Sequence, residues 1–230
     1  MLEVINLSSG YGDIKVLKEI NFSVEKGNIA LILSLNGGGK STLLKTLGGL
    51  ILPSEGRILY DGIDITHASP RQRVNYGILL LPEWGIVPNL TIKENMILSA
   101  SSRKGTAERN VLDTLRNFPE LASRYENKAS SLSGGQRKLL IMAMAMISGA
   151  DMLLLDEPSS GVSPIYVDKI MESINIMKEG GKSFIIAEQN PSFTDIADYL
   201  MVMDLGRIQV QGKPKEIIKN IEIKNRFFSL

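Results

Sequence analysis

The chain of 230 residues has no cysteine and a single histidine. The first absence removes disulfides and thiolate metal sites, and is compatible with a reducing compartment such as the cytosol. The second leaves His67 as the sole imidazole. A lone histidine in a loop is more often solvated than a ligand or base, and it is given no role. No apolar run approaches the roughly 20 residues that a membrane-spanning helix needs. The N-terminus, Met1 to Asn6, lacks the basic and apolar regions of a secretory signal, so a soluble protein is expected. Charge is close to balanced, with 26 Lys and Arg against 25 Asp and Glu for a net +1. No global field therefore draws the chain toward nucleic acid or an anionic membrane. Internal repeats and low-complexity linkers are also missing. What remains is an ordinary globular composition, 43% hydrophobic and 22% charged, long enough for one large domain or a core with a subdomain.

The most informative stretch is Ser34-Leu35-Asn36-Gly37-Gly38-Gly39-Lys40-Ser41-Thr42. It follows Ile29 to Leu33, an apolar run that reads as a buried strand, and precedes Leu43 to Leu47, the first turns of a helix. Strand, glycine-rich turn and helix is the context of a phosphate-binding loop. Glycines let the backbone wrap an anion with N–H groups pointing inward, and the new helix adds its unpaired N–H groups and dipole. Lys40 supplies a point charge, and the Ser41 hydroxyl is a ligand for Mg²⁺. One position departs from GxxxxGK(S/T): Ser34 stands in place of the first glycine. A positive φ there would cost about 1 kcal/mol or more, whereas a hydroxyl bonded within the turn would make serine acceptable.

In chain order, strands are expected at Leu2 to Ile5, Val16-Leu17 and Ile20 to Val24, with a loop over Ser8 to Asp13 that carries Tyr11 between two glycines. On the residues alone, Tyr11 is either a packed turn tyrosine or a platform for an aromatic ring. Asp61-Gly62 between Arg57–Tyr60 and Ile63–Ile65 is a hairpin signal. Gly77 to Leu81 reads as another buried strand. It leads into a broken apolar segment with Trp84, Ile86 and Val87, which is either core packing or a docking patch. Helices are expected over 91–100 and 107–118, the second with a stripe of Val111, Leu112, Leu115 and Phe118. Residues 120–131 read as loop.

Two later stretches carry chemistry. Ser133, Gly134, Gly135 and Gln136 open an apolar helix and make a second anion-binding helix N-terminus. Met152 to Leu155 is a buried strand that ends in Asp156-Glu157, delivering two carboxylates to the edge where α/β proteins bind ligands. Asp156 is placed to hold Mg²⁺ or its water, and Glu157 to polarise a water attacking a γ-phosphate. Beyond them, Pro164 opens a helix with Ser163 as its cap and a stripe of Val167, Ile170, Met171, Ile174 and Met177. Ser183 to Ala187 is a strand, Ser192 with Asp195 resembles a capping box, Tyr199–Met203 and Arg207–Gln211 flank a turn, and Pro214 opens a last helix.

Phosphate loop, Leu132-Ser-Gly-Gly-Gln136, then an apolar strand ending Asp156-Glu157, in that order, resembles the ABC (ATP-binding cassette) ATPases over almost the whole chain. The resemblance implies an α/β fold: a P-loop (RecA-like) core with an N-terminal antiparallel β subdomain, together about 1–88 and 151–230, and an inserted helical subdomain at about 89–150. It implies an ATPase with ATP and Mg²⁺ as ligands. Nucleotide contacts are then expected at Tyr11, as the adenine-stacking aromatic, and along Asn36, Gly37, Gly38, Gly39, Lys40, Ser41 and Thr42. Ser133, Gly134, Gly135 and Gln136 would reach the nucleotide of a second cassette paired head to tail, as a homodimer or a paralogous heterodimer. Glu157, Gln189 and Lys40 would be catalytic. Ser41, Asp156 and Glu83 would serve the metal.

Two departures point to a branch. Glu83 stands where the family carries its Q-loop glutamine, and Gln189 where it carries the switch histidine. Both resemble the ATPases of branched-chain amino-acid and related amide or urea uptake. Gln189 donates a hydrogen bond but exchanges no proton near neutral pH, which leaves the base role to Glu157 alone. The expected partners are transmembrane permease subunits and, indirectly, a solute-binding protein, at the cytoplasmic face of the cell membrane; nucleic acid is not expected. Two alternatives stay open: a soluble ABC ATPase outside transport, and a degenerate cassette that binds ATP without hydrolysing it.

Overall fold

A computed structural model describes residues 1–82, 85–100 and 107–219. Glu83, Trp84 and the segment 221–230 lie outside the described residues, so the readings made of them are not addressed by the fold. The chain opens with β1 (Leu2–Tyr11), β2 (Ile14–Val24) and β3 (Ile29–Leu33), then α1 (Lys40–Leu47), β4 (Glu55–Tyr60), β5 (Ile63–Asp64), α2 (Pro70–Asn75) and β6 (Ile78–Leu81). A helical stretch follows: α3 (Ile92–Ser99), α4 (Ala107–Leu115), α5 (Pro119–Ala122) and α6 (Gly134–Ile147). The remainder alternates as β7 (Met152–Asp156), α7 (Pro164–Glu179), β8 (Ser183–Glu188), β9 (Tyr199–Asp204), β10 (Arg207–Gly212) and α8 (Pro214–Ile217).

These strands form two sheets. One has the order β2-β1-β4-β5 and is antiparallel. The other runs β10-β9-β3-β8-β7-β6, parallel throughout except for β10 at its edge. β3 and β8 are buried at every position, as is β7 up to Asp156, because a parallel sheet covered on both faces needs apolar side chains in both directions. Alternation divides them between two cores. Ile29, Leu31 and Leu33 pack with α6 and α7. Ala30 and Ile32 face the antiparallel sheet and α1. The register then sets the site: Leu33 pairs with Glu188 and Asp156 with Ala187, so β3, β7 and β8 end at one level and deliver their next residues together.

Several local readings change. The polar stretch Ser8-Ser9-Gly10 is strand, not loop. Ser8 and Ser9 are buried, Ser9 Oγ lies 2.9 Å from Thr46 Oγ1 on α1, and β2 passes so close to Gly10 that a Cβ there would lie 1.8 Å from the Ile14 carbonyl. Val111, Leu115 and Phe118 are buried, but Leu112 is exposed, being about 100° round the helix from Val111. Part of 120–131 is regular, with α5 reaching Ala122 and a 3₁₀ turn at Ala129–Ser131. The short turn at Pro191–Asp195 is capped by Asn190, whose side chain accepts the Ser192 N–H, rather than by Ser192. Ser163 is the cap residue of α7 but makes no side-chain capping bond. α2 was not expected; it has a reciprocal capping box between Ser69 and Gln72.

Arg73 on α2 is 1% exposed. Its guanidinium donates to the carbonyls of Leu47 at 2.8 Å, Thr66 at 3.2 Å and Ala68 at 3.3 Å. Burial pulls its pKa down to about 10. The Leu47 carbonyl is at the C-terminal end of α1, where a cation meets the negative end of the helix dipole. The helix that begins at the phosphate loop is therefore held at its far end by a buried charge.

Candidate functional site

β3 ends at Leu33 and the chain turns through Ser34 to Gly39 into α1. Gly37 (φ 80°) and Gly39 (φ 100°) take left-handed backbone. Gly39 caps α1 with no side-chain hydrogen bond, so the first N–H groups of the helix are not spent on a cap. Ser34 stays out of the positive-φ region, and its hydroxyl donates to the Leu35 carbonyl at 3.0 Å. The turn thus accepts serine through a local bond and without strain. The substitution has a counterpart: a Cβ on Gly38 would lie 1.8 Å from Ser34 Oγ. Ser34 and Gly38 are a matched pair.

Lys40 is 4% exposed. Its ammonium donates to the carbonyls of Ser34 at 2.8 Å and Leu35 at 3.1 Å and stands 3.5 Å from Glu157 Oε1. Ser41 Oγ donates to Asp156 Oδ1 at 3.0 Å. Burial pushes the Asp156 carboxyl above its usual range, against the pull of the Ser41 hydrogen bond. Gln189 Nε2 donates to Glu157 Oε1 and to Asn36 Oδ1, both at 2.8 Å. Glu157 itself has φ 45°, an uncommon conformation for a non-glycine residue. Its main chain is held on both sides: its N–H donates to Ala187 and its carbonyl accepts from Lys138 Nζ at 2.8 Å. Beside these groups lies a cleft of about 290 Å³ lined by Asn36 to Thr42, Val16 and Glu157.

The second helix start lies elsewhere on the surface. Ser133 and Gly134 are exposed. Ser133 Oγ accepts the Gln136 N–H at 3.3 Å and the Gln136 side chain accepts the Ser133 N–H at 3.1 Å. Gly135 packs on α7, where a Cβ would lie 2.4 Å from the Tyr166 ring. At Gly134 the nearest atom to such a Cβ is 3.9 Å away.

Of the residues singled out in the sequence, Asn36, Lys40, Ser41, Asp156, Glu157 and Gln189 are joined in one network around the loop, with Gly37, Gly38, Gly39 and Thr42 in its wall. Tyr11 ends β1, half exposed, and is not in that wall. Ser133, Gly134, Gly135 and Gln136 form the separate helix start. Glu83 falls outside the described residues. Ile86 packs against the core, while Val87 is exposed. Three participants were missed: Val16, Lys138 and Glu188. Lys138 is the buried cation on a mostly apolar helix, and Glu188 is an acid closing a buried run, the same signal that marked Asp156. Among the described residues there is no cluster of three or more His, Cys, Asp or Glu able to hold a metal by themselves. The Ser41–Asp156 pair instead offers two hard oxygen donors, which suits an ion that keeps waters and phosphate oxygens as its other ligands.

Comparison with known proteins agrees with this geometry. Residues 17–160 match the family model described as ABC transporter. The chain is 32% identical over 224 residues to a probable branched-chain amino acid transport ATP-binding protein LivF of Archaeoglobus fulgidus, covering 96% of this chain and 95% of the relative. It is 31% identical over 230 residues to the high-affinity branched-chain amino acid transport ATP-binding protein BraG of Pseudomonas aeruginosa, covering 99% of each. Among solved structures, an ATP-binding cassette of an ABC transporter in its ADP conformation superposes with a TM-score of 0.87 at 27% identity, covering 100% of this chain and 99% of that one. A phosphate loop facing an Asp-Glu strand end, on a fold shared along its whole length with such cassettes, places the chain in the ABC transporter family as one of its ATPase cassettes.

Proposed function

We propose that this chain is the ATP-hydrolysing subunit of an importer for branched-chain amino acids or related small solutes. It sits at the cytoplasmic face of the membrane on permease subunits and pairs with a second cassette. The observation that carries the catalytic part is the network Lys40–Glu157–Gln189–Asn36 at the mouth of the phosphate-loop cleft. The names of the LivF and BraG relatives support the solute class.

In this reading the N–H groups of Gly37, Gly39, Lys40 and Ser41 and the Lys40 ammonium bind the β- and γ-phosphates. Lys40 exchanges its contact with Glu157 for phosphate oxygens. Ser41 Oγ and Asp156 would hold Mg²⁺, which would supply positive charge against the phosphates. Glu157 takes a proton from the attacking water, and Gln189 Nε2 orients Glu157 Oε1 without exchanging a proton itself. Tyr11 stacks on the adenine. Ser133 accepts a backbone N–H while its own O–H remains available to an anion, so the capped helix start of one cassette is competent to close on the nucleotide of the other. Residues about 1–88 and 151–230 act as the catalytic core with its β subdomain, and about 89–150 as the helical subdomain. A cleft of about 570 Å³ between them, with Val74 and Leu98 exposed at its rim, suits a permease segment.

The test is a pull-down of tagged Glu157→Gln protein, with ATP, from detergent-solubilised native membranes, together with phosphate release by the wild type. Polytopic subunits in the eluate support the importer. A soluble homodimer alone, or ribosomal or DNA-bound partners, rejects it.

A further inference from the structure

β8 ends in a buried acid that none of these steps uses. Glu188 is 2% exposed, and its carboxylate accepts hydrogen bonds from three backbone N–H groups and from the Ser159 side chain. Oε1 accepts Ser159 at 2.7 Å, and Oε2 accepts Gln189 at 3.0 Å and Asn190 at 3.2 Å. Its own carbonyl accepts the Ser34 N–H at 3.2 Å. One residue thus joins the first position of the phosphate loop, the turn that follows Asp156-Glu157-Pro158, and the residue whose side chain touches Glu157. These three segments are far apart in sequence and converge because β3, β8 and β7 are neighbours in register.

Burial pushes the Glu188 carboxyl up, and the Ser159 hydroxyl together with the N–H groups of Ser159, Asn190 and Gln189 opposes that shift. All three partners are donors, so each bond is strongest to the charged form. Closing a strand does not require a buried carboxylate, which is costly unless its bonds are all made. What this one does is fix the direction in which two turns leave the sheet. The Gln189 side chain starts from a main chain pinned by Glu188 and ends on Glu157 Oε1 and Asn36 Oδ1.

We propose that Glu188 is a positioning residue for hydrolysis: its carboxylate locks the Ser159 turn and the Gln189 backbone together, so that Gln189 Nε2 holds Glu157 against the phosphate loop. This rests on the catalytic reading of Glu157 and Gln189 given above. Replacing Glu188 by Gln keeps the shape but turns one acceptor into an NH₂ group that faces an N–H donor.

The experiment is a double-mutant cycle on the full chain: wild type, Glu188→Gln, Gln189→Ala and the double variant. Each is assayed for kcat and KM with ATP, for affinity toward a non-hydrolysable analogue, and for melting temperature. Glu188→Gln is expected to lower kcat about 10-fold or more while KM and analogue affinity stay within about 3-fold. In the Gln189→Ala background the same substitution is expected to change kcat by less than about 2-fold, since nothing is left to position. An unchanged kcat in folded Glu188→Gln protein, or losses that simply multiply in the double variant, would overturn the proposal. If Glu188→Gln does not fold, Glu188→Asp, which keeps the charge but draws it back, enters the same cycle with the same two outcomes. Glu157→Gln runs as the control. Wild-type turnover in that variant rejects the catalytic reading itself, whereas its loss with an intact Glu188→Gln kcat rejects only the role of Glu188.

Discussion

The two glycine-rich helix starts, at α1 and at α6, use the same elements for different ends. At α1 the cap is a left-handed glycine with no side-chain bond, and the carboxylates of β7 and the Gln189 side chain gather around it. At α6 the cap is a serine in a reciprocal box with Gln136, whose two bonds stay within the helix start. One helix start is left open toward ligands its own chain organises; the other is closed on itself and faces outward. The surroundings of a helix N-terminus thus depend on what the sheet brings to it: two carboxylates and an amide at α1, its own capping box at α6.

The largest expected effect lies at the α1 side. Glu157→Gln should lower phosphate release by about 10²–10⁴-fold while ATP still binds; near-normal turnover would break the contrast outright. Next come the two glycines of α6, which the structure separates. Gly135→Ala forces a Cβ into the Tyr166 ring and is expected to cost about 1–3 kcal/mol of stability in denaturant unfolding. Gly134→Ala is expected to leave stability within about 0.5 kcal/mol, yet to weaken ATP-dependent pairing measured by light scattering. Equal unfolding curves for the two would show that Tyr166 yields.

A smaller effect tests the pairing within the phosphate loop. Gly38→Ala should weaken nucleotide binding about 10-fold by colliding with Ser34 Oγ, and Ser34→Gly should restore most of it. Ser34→Gly alone is expected to change affinity by less than about 3-fold, because the bond it removes is local. The smallest concerns the half-buried Asp156 carboxylate that α1 faces. Since burial holds the Asp156 carboxyl above its usual range, ionising it works against the fold. Asp156→Asn should therefore raise the nucleotide-free melting temperature by about 2 °C. A fall in melting temperature would mean that the Ser41 bond outweighs desolvation.

The elements that sequence reasoning found are those whose signal is local. Ile29–Leu33 and Met152–Asp156 announce themselves as apolar runs, the phosphate loop by its spacing, the hairpin at Asp61-Gly62 by its turn. What it missed depends on contacts between distant segments. Ser8-Ser9-Gly10 has the composition of a loop and is a strand only because Thr46 and β2 satisfy its polar groups and close over its glycine. α2 is six residues long and has no apolar stripe to reveal it. Lys138 acts on a carbonyl 19 positions away, which no periodicity encodes. Glu188 was within reach, since an acid ending a buried run had already been given meaning at Asp156. Asn36, Lys40, Ser41, Asp156, Glu157 and Gln189 lie together, while Tyr11 and Ser133 to Gln136 stand apart, and the bonds that hold Glu157 and Gln189 come from Lys138 on α6 and Glu188 on β8.

Arg73 gives the phosphate loop a mechanical character. α1 is an eight-residue rod, about 12 Å long, and Arg73 bolts its tail to carbonyls from the β5–α2 connection. A rod fixed at the far end does not stretch or swivel when its tip is pulled. The tip that carries Lys40 thus has a fixed base in the stretch that leaves the antiparallel sheet after β5. Cutting the bolt, by Arg73→Met, would leave the Leu47, Thr66 and Ala68 carbonyls without the buried cation that joins them.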